Sequence, residues 1–206
     1  MKAVRRVHRA GAVVVAAFVT VHVINHLAAL GGVAAHLRFM EAARLVYRHS
    51  AVEAVLLLCV TLQAATGLVL AYKGWTRRTG FTATLQAASG LYLALFLLIH
   101  VAAVLAGRVL LDLDTNFHYA AAGLHAGAAR YFFAPYYFLA VLALFAHLGC
   151  ALSWRVPRAG PARALVLGTA LAGGVAVSGL ILAAMLGVLY PYQVPQAYLA
   201  TWGAGQ

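Results

Sequence analysis

Residues 11–30 read GAVVVAAFVTVHVINHLAAL and form an apolar run without a charged residue. The run matches the roughly 20 helical residues that cross a bilayer core of about 30 Å. Two histidines, His22 and His26, interrupt it, although hydrocarbon offers an imidazole no hydrogen-bond partner. Ionisable groups at such depth usually have a function. The stretch therefore predicts a transmembrane helix with a functional polar site.

The whole chain has the composition of a membrane protein. Of its 206 residues, 65% are hydrophobic and 9% are charged, against about 25% charged in soluble domains. Five runs are long enough to span a bilayer, near residues 10–30, 50–72, 84–107, 132–153 and 164–190. We predict one all-α integral membrane domain over residues 1–206. The first run is too long to be the core of a cleaved signal peptide.

The charged residues predict the orientation of the chain. Ten of the 15 Lys and Arg residues precede the first span or lie near residues 73–78 and 155–163. The other five basic residues and all four acids lie on the opposite side. The positive-inside rule then places the N-terminus in the cytoplasm and the C-terminus outside a bacterial-type cytoplasmic membrane. The inner charge reflects topology alone or attracts an acidic soluble partner, and it does not indicate nucleic acid. The outer segment 108–131 is predicted to form a short surface helix.

Four histidines lie deep within the spans: His22, His26, His100 and His147. His22 lies nine residues before Gly31 and His100 eight before Arg108, so both lie about 12–13 Å from the outer boundary. His26 lies one turn further out and has no partner at its depth. Four others are expected at helix ends or in loops, where water satisfies them: His8, His36, His118 and His125.

Two imidazoles at one depth on different helices can bind a haem iron from both sides. Zinc is disfavoured, because it takes three or four close ligands and no cysteine or carboxylate is expected at this depth. His22 and His26 share a helix face, but one helix does not readily supply both opposite ligands of one haem. A haem-free channel or structural protein, whose histidines only bond between helices, is also compatible with the pattern.

Four segments carry a family resemblance through their order and spacing. They are RRVH at 5–8, FVTVH at 18–22, LQAASG at 85–90 followed by His100, and FAHLGCALSW at 145–154. The chain resembles the cytochrome b membrane-anchor subunit of succinate dehydrogenases and fumarate reductases, in its single-chain, five-helix, dihaem form. The resemblance covers nearly the whole chain.

The resemblance implies that the first four spans form a bundle that binds haem b. His22 and His100 would ligate a distal haem near the outer face, and His147 would bind one side of a proximal haem nearer the cytoplasm. Where the family has the second proximal ligand, four residues before Gly67, this chain has Gln63. The proximal haem is then absent, bound through His147 alone, or bound with a ligand that the sequence does not identify. Gln63 is expected beside that site.

The resemblance also implies electron transfer between a membrane quinone and soluble subunits. A flavoprotein and an iron–sulfur protein would dock on the cytoplasmic face, and this chain would do no dicarboxylate chemistry itself. The alternative function is a stand-alone membrane b-type cytochrome that exchanges electrons between quinone and a small oxidant.

A quinone site needs polar groups that handle protons near a membrane boundary. Glu53 is the acid closest to a span interior, and we predict a site formed by Glu53, Arg48, His49 and His36. The other interpretation is that Glu53 only pairs with an outer arginine. His26 is expected beside the distal haem edge or the quinone.

Overall fold

The computed structural model describes residues 1–157 and 161–203, which form helices and turns without a strand. Within these ranges, five helices are long and apolar enough to cross a membrane, which confirms the predicted number of spans. They are α1 (Lys2–Ala28), α3 (Ser50–Lys73), α4 (Phe81–Val109), α6 (Arg130–Ser153) and α7 (Ala162–Met185). Arg158, one of the ten predicted inner cations, lies outside the described residues.

Three shorter helices lie between or after the long ones: α2 (Val33–Tyr47), α5 (Phe117–His125) and α8 (Gln196–Leu199). A helix does form within residues 108–131, as α5, and the side chain of Asn116 caps its first amides. It is not the expected surface helix, because Phe117, Ala121 and Leu124 are fully buried. Helix α2 was not predicted. It begins after Gly32, whose φ of 99° is a conformation that glycine adopts without strain and that separates α2 from α1.

Two span boundaries differ from the prediction. Helix α1 begins at Lys2 instead of near residue 10, since hydropathy reports the apolar part of a helix and not its charged first turns. Helix α7 ends at Met185 instead of near residue 190. There Gly187 adopts a φ of 74°, and the hydroxyl of Tyr192 donates to the carbonyl of Met185. A turn therefore replaces the last predicted turn of helix.

The long helices pack as neighbours in chain order: α1 against α3, α3 against α4, α4 against α6 and α6 against α7. Helix α7 contains no histidine and packs closely on α6, where Ser178 donates to the carbonyl of Phe138 over 3.1 Å. Consecutive spans alternate in direction, so the bundle has two distinct ends. We call the end with Lys2, Lys73 and Arg155 the basic end, and the other the α2–α5 end.

Candidate functional site

The rings of His22 on α1 and His100 on α4 are neighbours inside the bundle. The two ring centroids lie 6.0 Å apart, with the ring planes at 66°. Each imidazole stacks on a phenylalanine one turn earlier on its own helix: His22 on Phe18 at 5.6 Å and His100 on Phe96 at 5.1 Å. The i, i+4 spacing puts each pair on one helix face. The structure thus brings together the two histidines that were matched by depth.

The separation of the His22 and His100 rings can be compared with that of two imidazoles bound to one metal ion. Imidazole nitrogens bind first-row metals such as zinc at about 2.0–2.1 Å, so rings on opposite sides of one metal have centroids roughly 6 Å apart. Within the described residues, neither ring forms a hydrogen bond. An imidazole inside a membrane without such a partner has lost its interactions with water, and a metal–nitrogen bond would restore one.

His26 lies beside this pair but contacts different neighbours. Its ring is 4.7 Å from that of His22 and 5.3 Å from that of His36. Asn25 donates its amide N–H to Nε2 of His36 over 3.3 Å. His26 therefore lies between the His22–His100 pair and the polar side chains of Asn25 and His36.

His36 corrects one sequence expectation. It was expected in an outer loop with water as its partner, but it lies on α2 with only 2% of its surface exposed. Burial, followed by the charges of His22, Arg44 and His118, lowers the pKa of His36 to about 4. His36 is therefore neutral near pH 7.

His118 and His125 correct the same expectation. His118 stacks on Tyr198 with centroids 6.0 Å apart. Nε2 of His125 lies 2.8 Å from both the carbonyl of Met185 and the hydroxyl of Tyr192. Protein groups, and not water alone, are the partners of these rings.

A second histidine site lies towards the basic end, where His147 of α6 packs on α4. Nδ1 of His147 lies 3.0 Å from the carbonyl oxygen of Gln86 and 3.4 Å from the hydroxyl of Ser89. A carbonyl oxygen only accepts, so Nδ1 carries the proton and Nε2 keeps its lone pair. A Cβ atom on Gly90 would lie 2.9 Å from Cε1 of His147. The glycine therefore leaves room for the imidazole on the face of α4.

His8 is the residue that sequence reasoning missed. It was expected at a helix end in water, but it lies within α1 and contacts α3 through two side chains. Nδ1 of His8 is 2.9 Å from the hydroxyl of Thr66, and the amide nitrogen of Gln63 is 3.2 Å from Nε2. The available signal was helical phase: His8 precedes His22 by 14 residues, about four turns of 3.6 residues, so both lie on the same face.

The predicted quinone-site residues do not form one cluster in the described part of the chain. Glu53 accepts hydrogen bonds from both terminal nitrogens of Arg108. Its ion-pair partner is therefore Arg108 and not Arg48. Arg48 lies 4.0 Å from Asp114. His49 is exposed at the start of α3, whereas His36 is on the buried face of α2. No hydrogen bond or ring contact in the described ranges joins His36 to Glu53.

An apolar cavity of about 280 Å³ lies between α4 and α6 on the α2–α5 side of the bundle. Its lining includes Phe96, Tyr92, Phe132, Tyr136 and Leu139. The hydroxyl of Tyr92 donates to the carbonyl of Tyr136 over 2.9 Å. Because Phe96 also stacks on His100, a single aromatic ring separates the cavity from the deep histidine pair.

The described residues contain no group of three or more His, Cys, Asp or Glu side chains placed to hold a metal ion. Cys59 and Cys150 are both free thiols.

Comparison of the chain with protein-family models, curated proteins and solved structures gave no match.

Proposed function

We propose that this chain is a haem b-containing membrane anchor of a succinate:quinone or fumarate oxidoreductase. The observation that carries the proposal is the meeting of His22 and His100, from different helices, within a bundle of five apolar helices. Neither ring has a hydrogen-bond partner in the described residues, and their separation suits two axial ligands. His22 and His100 would hold the haem from α1 and α4.

The bound haem would supply one-electron transfer through the apolar core. The protein's part is to fix both imidazoles and exclude water, because burial and ligand identity set the potential of a haem. The stacked rings of Phe18 and Phe96 orient His22 and His100. Burial of His36 keeps it neutral beside the site near pH 7.

The basic end is the proposed docking surface for soluble partner subunits. It carries Lys and Arg residues at the start of α1, at the end of α3 and in the segments that follow α3 and α6, and no acidic residue occurs in these parts of the sequence. The positive-inside rule would place this end in the cytoplasm. A cationic surface of this kind attracts an acidic partner and speeds its association, which supports an iron–sulfur protein and a flavoprotein as the docked subunits.

The quinone would react at the α2–α5 end. The cavity beside Phe96 supports a position for the quinone ring between α4 and α6, since ligand pockets are mostly apolar with a few polar groups. Glu53 remains a candidate for proton transfer, although its carboxylate is held by Arg108 and would have to be released to accept a proton.

The test is to express the full chain in a bacterial membrane and purify it in detergent. We expect the reduced-minus-oxidised spectrum of a b-type haem, and His22→Ala or His100→Ala should abolish the signal of the distal haem. His26→Ala is the matched control and should retain most of it. A wild-type protein without haem would refute the proposal, and loss of the signal in His26→Ala but not in His22→Ala would refute the ligand assignment.

A second arm separates the anchor from a stand-alone cytochrome. Purification under mild detergent from the native organism should yield the chain together with a flavoprotein and an iron–sulfur protein, and moderate salt should weaken their binding. A haem-loaded chain that always purifies alone, at low as well as high salt, would reject docking while leaving the cytochrome assignment in place.

A further inference from the structure

Two histidines near the basic end have the same internal arrangement. In His147, Nδ1 donates to the carbonyl of Gln86. In His8, Nδ1 faces the hydroxyl of Thr66, and that hydroxyl already donates to the carbonyl of Leu62 over 2.5 Å. Thr66 must therefore accept from Nδ1 of His8. Metal-ligating histidines typically donate one ring N–H to a protein acceptor, which leaves the other nitrogen for the metal. In both rings the nitrogen without the proton is Nε2, and in His8 it accepts a hydrogen bond from the amide of Gln63.

Glycines make room beside both rings. A Cβ atom on Gly67 of α3 would lie 3.4 Å from Cε1 of His8, and one on Gly90 of α4 would lie 2.9 Å from Cε1 of His147. His8 lies six residues after Lys2, where α1 begins, and His147 lies six residues before Ser153, where α6 ends, so both are roughly 9 Å from the basic end. The two imidazoles therefore lie at one level of the bundle near the basic end, on α1 and α6, and each lies beside a glycine.

Gln63 occupies a position beside this site without being needed as a ligand. Its amide nitrogen bonds Nε2 of His8, while its Oε1 is buried and has no hydrogen-bond partner in the described residues. A buried acceptor without a partner costs about 1–3 kcal/mol. The carboxamide of Gln63 occupies the lone pair of His8 Nε2 that a metal would take. Rotation of the Gln63 side chain would release this lone pair to a metal.

We propose that His8 and His147 are the two axial ligands of a second haem, with α1 supplying the ligand that α3 lacks at Gln63. The inference rests on the proposed function, because a second haem is meaningful only in a chain that binds haem at all. In the second site, α1 would supply one ligand and α6 the other. Helix α1 would then contribute a ligand to both sites, His8 to one and His22 to the other.

The experiment counts haem per purified full-length chain and records the low-temperature spectrum of low-spin ferric haem. Wild-type protein should carry two haems. His8→Ala and His147→Ala should each remove one and keep the signal that His22→Ala and His100→Ala abolish. His118→Ala, a histidine at the α2–α5 end stacked on Tyr198, is the matched control and should keep two.

His8→Met separates ligation from a structural role, since methionine binds haem iron and raises its potential but cannot reproduce the bond to Thr66. We expect two haems, with the potential of one raised and that of the other unchanged. If His8→Ala does not accumulate in the membrane, His8→Met decides the question alone. The double variant His8→Ala with Gln63→His should regain the second haem, because the new imidazole begins where Gln63 now contacts His8.

The outcomes of the two proposals can be told apart. One haem per chain, lost in His22→Ala and retained in His8→Ala, would overturn the second site and leave the proposed function standing. Two haems in both wild type and His8→Ala would also overturn it, since the ligand would then lie elsewhere. Two haems in His8→Met with unchanged potentials would do the same. Absence of haem from the wild-type protein would remove the proposed function itself.

Discussion

Alanine at position 90 should weaken the binding of the haem proposed near the basic end, because the added methyl group meets His147. The new Cβ would lie 2.9 Å from Cε1 of His147, whereas ordinary contacts begin at 3.4 Å. The imidazole must therefore retreat by the difference, about 0.5 Å. Its Nδ1 lies 3.0 Å from the carbonyl of Gln86, so the same retreat stretches that hydrogen bond beyond the usual range of about 2.7–3.2 Å.

The magnitude follows from the bond at risk. A typical protein hydrogen bond contributes about 0.5–1.5 kcal/mol, and about 1.4 kcal/mol corresponds to a tenfold change in an equilibrium constant. Gly90→Ala should then lower the affinity of the second haem by about twofold to tenfold. Alanine otherwise favours a helix over glycine by about 1 kcal/mol, so a general loss of helix stability cannot be the cause.

The assay is haem retention during transfer to an excess of a haem-free acceptor protein, followed separately for the two haem signals. Gly168→Ala is the control, because a Cβ there meets nothing within 4 Å and gains the same helix propensity. Unchanged retention of the second haem in Gly90→Ala would refute the packing of His147 against α4. Equal losses in Gly90→Ala and Gly168→Ala would show that the effect is not local to His147.

Three further predictions follow from the α2–α5 end. Arg108→Ala should destabilise the folded protein by about 1–3 kcal/mol, because it leaves the half-buried carboxylate of Glu53 without its charged donor. Thermal unfolding in detergent should show this loss, and Arg38→Ala, at an exposed arginine, should leave the unfolding temperature unchanged. Because burial holds the pKa of His36 at about 4, below the roughly 6.5 of an unfolded histidine, stability should fall as pH decreases from 6.5 towards 4. His36→Gln should reduce that fall, and an equal fall in both proteins would contradict it. Leu139→Trp should fill the cavity beside Phe96 and raise the quinone concentration needed for half-maximal haem oxidation, and an unchanged value would place the quinone elsewhere.

The five spans could be predicted because an uncharged run of about 20 residues has one stable solution in a bilayer, a helix that satisfies its own backbone. The amphipathic α2 was missed because Arg38, Glu41 and Arg44 interrupt its hydrophobicity. Its buried face, with His36 and Met40, depends on packing against neighbouring elements. Hydropathy measures average polarity and does not detect a helix that lies partly in water.

Depth alone matched His22 with His100, because the rise per residue converts sequence distance into position along the membrane normal. The same count could not match His8 with any partner, because Lys2, Arg5 and Arg6 surround it and make its segment look exposed. What places His8 in the bundle is its side chain's contact with Thr66 and Gln63. A contact of this kind depends on how α1 rotates against α3, and a single sequence does not report that angle.

The rotation of α1 connects the two proposed haem sites. His8 and His22 are 14 residues apart, which is about 21 Å along a helix and close to four whole turns. A helix that turned to bring one histidine inward would therefore bring in the other as well. Because Gln63 and Thr66 hold His8 while Phe18 supports His22, both contacts favour the same rotation of α1. If α1 supplied a ligand in each site, as proposed, α3 would need only the hydroxyl of Thr66 to orient the imidazole of His8, and Gln63 would not have to be a ligand.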